Sequence, residues 1–164
     1  MISGKAEGLD RSGWEIGPWD DEPDWAHGIA DNGLHYAIRR NGLGALSGYV
    51  GVPEGHDLFE ARLSEWWSRP LSVKLVSIHG GITYSGFDFK LHQSPALPDN
   101  LWWLGFDCAH FGDRLPGLRT SSRVYRDFDY VRQGVIRLAS ALLTPLEALA
   151  LTHDSNESPT EERS

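Results

Sequence analysis

Residues 34–52 read LHYAIRRNGLGALSGYVGV. Leu34, Tyr36 and Ile38 alternate with His35, Ala37 and Arg39, the two-residue period of a strand with one buried face. Asn41-Gly42 is a hairpin-turn pair, since both residues tolerate the positive φ such turns require. Leu46 to Val52 reads as the returning strand, and Pro53-Glu54-Gly55-His56 ends it. A chain that contains this unit is building an antiparallel sheet.

Outward from the hairpin, the downstream sequence adds strands and then a helix. Leu58 to Trp67 places Leu58, Phe59, Leu63, Trp66 and Trp67 on one helical side, which predicts a short helix ended by Pro70. Val73–Ile78 and Ile82–Phe87 are β-rich around Gly80-Gly81, as a second hairpin or as one strand bulged at the glycines. Leu91 to Asn100 holds two prolines and reads as a loop. Leu101 to Asp107, LWWLGFD, is the most apolar strand and is expected to be central. Cys108 to Ser122, with Gly112, Pro116 and Gly117, reads as a loop. Asp127 suits an N-cap, and Phe128, Val131, Val135, Leu138, Ala139 and Leu142 recur at three- and four-residue steps. That helix is expected to run to about Leu143, before Pro145 interrupts it.

Upstream, residues 13–31 carry Trp14, Trp19 and Trp25 among acids, glycine and proline, with neither a strand nor a helix period. They read as an irregular arm pinned by its indoles. Residues 1–12 are expected to be flexible, 13–151 to form a single α+β domain, and 152–164 to be a disordered tail. The expected architecture is an antiparallel sheet of about five strands, a common number, covered on one face by the C-terminal helix.

Composition bounds the function. A chain of 164 residues suffices for one self-sufficient core. Its 40% hydrophobic and 23% charged residues are ordinary globular values, which excludes wholesale disorder. A single cysteine excludes a disulfide framework and fits a reducing compartment. No apolar run approaches membrane-spanning length and the N-terminus has no apolar signal core, so a soluble, cytoplasmic protein with no membrane partner is expected. The net charge of −8 opposes non-specific attraction to nucleic acid. Arg114, Arg119, Arg123, Arg126, Arg132 and Arg137 form a local basic run, most simply read as a solvated face. Oligomeric state is not legible.

Two segments gather polar, titratable groups where apolar strands end: Ile78-His79-Gly80-Gly81-Ile82-Thr83-Tyr84 and Asp107-Cys108-Ala109-His110-Phe111-Gly112-Asp113. Strand ends expose side chains while the sheet fixes them, which suits a site. As a binding site, His79, Gly80, Gly81, Tyr84, Asp107, His110 and Asp113, with His56 on the rim, would receive a nucleotide-like or planar polar ligand or a partner protein. As a hydrolase, Cys108 would be the nucleophile and His79 its base, oriented by Asp107 or His110. As a metal site, His79, Asp107, Cys108 and His110 are competent ligands, but Asp-Cys-x-His is no compact zinc spacing. No metal is assigned. No dinucleotide fingerprint, Walker A or H-E-x-x-H motif is present, and no cofactor is expected.

The order His79, then Cys108-Ala109-His110-Phe111, locally resembles permuted papain-like hydrolases of the lecithin retinol acyltransferase type, in which such a cysteine is the nucleophile. A longer resemblance runs from Gly17-Pro18-Trp19-Asp20-Asp21-Glu22-Pro23-Asp24 through Gly48-Tyr49-Val50-Gly51-Val52-Pro53-Glu54-Gly55-His56 and His79-Gly80-Gly81-Ile82-Thr83-Tyr84-Ser85. It continues through Trp102-Trp103-Leu104-Gly105-Phe106-Asp107-Cys108-Ala109-His110-Phe111-Gly112-Asp113 to Tyr125-Arg126-Asp127 and Tyr130-Val131. Over residues 17–143 the chain resembles a family of small bacteriophage and prophage proteins. That resemblance implies an accessory protein that inhibits a host factor or sequesters a small signalling molecule in the host cytoplasm, and it names no reaction.

Overall fold

The structure is a computed structural model and describes residues 1–64, 77–87, 97–118 and 123–142. Its centre is one antiparallel sheet of six strands: β1 (Ile2–Gly4), β2 (Trp25–Ile29), β3 (His35–Arg40), β4 (Leu46–Val52), β5 (Tyr84–Gly86) and β6 (Trp102–Asp107). The order across the sheet is β1-β2-β3-β4-β6-β5. One helix, α1 (Phe128–Ala141), packs on it. The α+β layering read from the sequence is therefore the fold, with one strand more than expected.

The hairpin at 34–52 forms as its pattern dictates. Tyr36 pairs with Val50 and Ile38 with Gly48, so these residues share the face that α1 covers. Asn41 closes the turn, its side-chain oxygen accepting from the N–H groups of Leu43 and Ala45. Helix α1 begins where the cap was read, with Asp127 accepting from Tyr130 N at 2.7 Å. Its Val131, Val135 and Leu138 join Ile38, Leu46, Val50, Leu104 and Phe106 in the main core. The helix can approach this closely because Gly48 lies beneath it: a Cβ there would stand 2.4 Å from Val135 Cγ2 and 2.8 Å from Phe106.

Several expectations are corrected. Within residues 1–12, β1 pairs with β2, and Arg11 is bound to the Asp24 carboxylate. The arm at 13–31 contains β2 itself. By contrast, the apolar run Leu101–Asp107 gives β6, an interior strand between β4 and β5, as expected. The helix expected over 58–67 does not begin at Leu58: Leu58–Glu60 is a turn, Glu60 takes φ +58°, a left-handed conformation that interrupts a right-handed helix, and helical backbone, of the 3-10 kind, is described only at Leu63 and Ser64. Trp66, Trp67 and most of the strand expected at 73–78 lie outside the described residues, as does the C-terminal tail. Among the described residues no helix is long and apolar enough to cross a membrane.

A buried ionic node joins the arm to this frame. The Arg40 side chain has no exposure, nor has that of Asp24. Arg40 Nε donates to Asp24 Oδ1, Nη1 to Gly44 O and to the Tyr125 hydroxyl, and Nη2 to Glu22 Oε2 and Pro23 O. All five guanidinium N–H groups are thus used. The Tyr125 hydroxyl in turn donates to Glu22. Trp19 is buried beside them with its ring edge-on to Tyr125.

Two outcomes follow from this packing. Arg40→Leu leaves Asp24 Oδ1 without its donor, with only Arg11 and the Ala6 N–H remaining on Oδ2, and should cost about 3–5 kcal/mol, read as a lowered urea midpoint. Burial, then the bond to Glu22, raises the Tyr125 hydroxyl above its ordinary pKa. The sign is that of a group whose folded value is raised: its contribution is whole below the unfolded tyrosine value of about 10 and is lost as pH climbs toward the higher folded value. The urea midpoint should therefore decline above that pH, and Tyr125→Phe should show a shallower decline from a lower starting stability.

Candidate functional site

The loop 77–83 leads into β5, and the loop from Cys108 leaves the end of β6. Because β5 and β6 are antiparallel neighbours, with Tyr84 opposite Gly105, the two loops emerge at the same end of the sheet. Two backbone features bring them into contact. Gly80 and Gly81 both have positive φ, +66° and +79°, the left-handed region that glycine enters without steric penalty. At Gly80 a Cβ would sit 2.3 Å from His110 Cε1. Only a residue without a side chain lets this loop lie against the His110 ring.

The result is a cluster of two imidazoles and one carboxylate. His79 Nε2 donates to Asp113 Oδ2 at 2.7 Å, and its Nδ1 lies 3.1 Å from the Tyr130 hydroxyl. The His110 ring stands edge-on to His79 with centroids 5.2 Å apart. Asp113 is almost fully buried and accepts from the His110 backbone N–H at 2.9 Å and from Arg126 Nε at 3.2 Å. Burial alone would raise its carboxyl pKa, but the bonds from His79, His110 N–H and Arg126 outweigh burial and hold it below the ordinary value. Arg126 also lies over the Tyr130 ring, 4.9 Å from its centroid. Asp107 completes the rim, receiving Thr83 Oγ1 at 2.9 Å and Ala109 N at 3.0 Å.

His110 is the unusual member. Its Nδ1 is shielded from solvent and has no hydrogen-bond partner. It faces Asp113 Oδ2 at 3.8 Å and Asp107 Oδ1 at 3.9 Å, both too long for a hydrogen bond. The donor atoms of His79, His110 and Asp113 all lie within 4.8 Å of one another. Beside them Phe111 is 98% exposed, with the Arg123 guanidinium 5.5 Å from its ring centroid.

The sequence-derived site is thus assembled in part. His79, Gly80, Asp107, His110 and Asp113 come together. Gly81 shapes the loop and contacts no further group within 4 Å of where a Cβ would stand. Tyr84 turns to Tyr49, ring edge to face at 5.5 Å, within the smaller apolar cluster around Ala37, Leu101 and Trp103. His56 does not reach the cluster: its Nε2 donates to Leu142 O at 2.6 Å, holding the end of α1, and its Nδ1 accepts from Leu58 N.

Cys108 belongs to the main core and is 2% exposed. Burial, then the charges of Asp113 and Asp107, push its thiol up to about 12 despite Arg126, so at neutral pH it is protonated and a weak nucleophile. Both His79 nitrogens are engaged by oxygen, not by sulfur. These features oppose a thiolate–imidazolium pair. Sequence reading did not place Arg126 and Tyr130 at the site: Arg126 lies just before the Asp127 cap and Tyr130 in the first turn of α1, with the guanidinium over the ring. Their signal was the aromatic at 130, which a merely solvated basic face does not need.

Cys108 should react with iodoacetamide at the slow rate set by opening of the core and rapidly only in denaturant; a fast, saturating reaction of the folded chain at pH 7 would restore the nucleophile reading. Comparison with protein-family models, with curated proteins and with solved structures found no match.

Proposed function

We propose that this chain acts by binding a small anionic, nucleotide-like ligand at the His79–His110–Asp113 cluster. The observation that carries the reading is the unpartnered, solvent-shielded Nδ1 of His110. A buried polar atom left without a partner is destabilising by about 1–3 kcal/mol, and such a defect persists where a ligand can satisfy it. The surroundings suit a planar, charged guest. Phe111 offers an exposed ring for stacking with Arg123 beside it, and Arg126 adds a second guanidinium at the rim. Sequestration of such a molecule also accords with the resemblance to small phage and prophage accessory proteins and would take place in the host cytoplasm.

A thermal-shift screen of mono- and dinucleotides tests this. A saturable upward shift is expected for at least one of them, growing with ligand concentration as linkage requires. Phe111→Ala should weaken the shift and leave the unliganded melting temperature unchanged, since that ring is solvent-exposed. Uniform silence of the wild-type chain across the panel would remove the proposal.

A further inference from the structure

The cluster has the composition of a metal centre, and the geometry points to a divalent transition ion of the zinc class held by His79 Nε2, His110 Nδ1 and Asp113 Oδ2, with at least one coordination position open to the ligand. This inference deepens the binding reading above and rests on its choice of site. Two imidazoles and one carboxylate are the donors such ions take in open, ligand-accepting sites. Bonds of about 2.0–2.2 Å in a tetrahedral arrangement place donor atoms roughly 3.3–3.6 Å apart. Here His110 Nδ1 and Asp113 Oδ2 are 3.8 Å apart, and all three donors fit within 4.8 Å. To admit the ion, the 2.7 Å bond between His79 Nε2 and Asp113 Oδ2 must open and His110 Nδ1 must draw closer to the other two donors.

The surrounding contacts are those a bound ion needs. Arg126 occupies Asp113 Oδ1, while Oδ2 accepts the His110 backbone N–H and is the oxygen that turns to the ion once His79 Nε2 releases it. The Tyr130 hydroxyl stands at His79 Nδ1; when Nε2 gives its lone pair to the ion, Nδ1 carries the ring proton and donates it to that hydroxyl. Such a partner fixes the tautomer and orientation of a ligating histidine. Gly80 packs against the Cε1 and Nε2 side of the His110 ring, which turns Nδ1 inward. An ion there would also satisfy the nitrogen that otherwise has no partner. The three ligands come from residues 79, 110 and 113, so only His110 and Asp113 lie close in sequence and no zinc-motif spacing results.

The experiment uses the full chain, stripped with chelator, dialysed, and offered Zn2+ or Co2+. One ion per chain by elemental analysis is expected, with the visible absorption of low-symmetry Co2+. His110→Ala and Asp113→Asn should each weaken binding at least tenfold. Tyr130→Phe should weaken it about tenfold through His79, without abolishing it. His35→Asn, at a histidine outside the cluster, should bind as wild type. His110 is the most exposed of the three ligands, so its variant is the least able to act through misfolding; metal-free melting curves verify that. Failure to retain a stoichiometric ion, or equal affinity in wild type and His110→Ala, overturns the inference. The two proposals fail separately. Nucleotide shifts in stripped protein that added Zn2+ does not alter would leave the binding reading and remove the metal. A tightly held ion with no nucleotide response, with or without it, would do the reverse.

Discussion

The structure depends on the burial of one guanidinium. Removing Arg40 from water is unfavourable unless every N–H finds an acceptor and the charge is matched. Here the acceptors come from the arm (Glu22, Pro23, Asp24), from the hairpin turn (Gly44) and from the segment before the helix (Tyr125). Satisfying one side chain therefore fixes three remote pieces of backbone against β3. Glu22 extends the linkage, since Phe128 N at the start of α1 donates to its other oxygen at 3.3 Å. The first turn of the helix is thereby tied to a charged centre in the core as well as to apolar packing.

That tie governs the candidate site. Arg126 directly follows Tyr125, and Tyr130 lies one turn further on. Both reach the His79–Asp113 pair from the helix side, while Gly80 and His110 reach it from the sheet side. The cluster is thus built from both sides. Its chemistry follows from what the two sides supply: a nearly buried carboxylate kept ionised by its donors, one imidazole locked by two oxygens, and a second imidazole whose inward nitrogen has none. The thiol beneath it is protonated at neutral pH and enclosed, which opposes a nucleophilic role.

How much of this was legible depended on whether apolar residues marked the buried face. In β3, β4, β6 and α1 they do, and those elements stand close to where their periodicities placed them. Strand β2 inverts the pattern. Its helix-side positions are Ala26 and Gly28, kept small because the Tyr36 ring fills the space a Gly28 Cβ would enter, at 2.7 Å from the hydroxyl. Its large residues Trp25, His27 and Ile29 face the other way, so no apolar alternation pointed inward. Residues 58–60 fail for a different reason: the spacing was helical, but Glu60 adopts a left-handed conformation, which no periodicity reports. At the site, strand-end placement brought His79, Asp107, His110 and Asp113 together as expected. His56 and Tyr84 were drawn away by partners that sequence cannot display, a helix carbonyl and a neighbouring tyrosine.

The boundary between Asp107 and Cys108 has an evolutionary corollary. Successive residues leaving β6 point to opposite sides, the acid toward the open side and the thiol toward the helix. A single-codon deletion inside β6 would exchange them, turning sulfur outward beside two imidazoles and the carboxylate into the core.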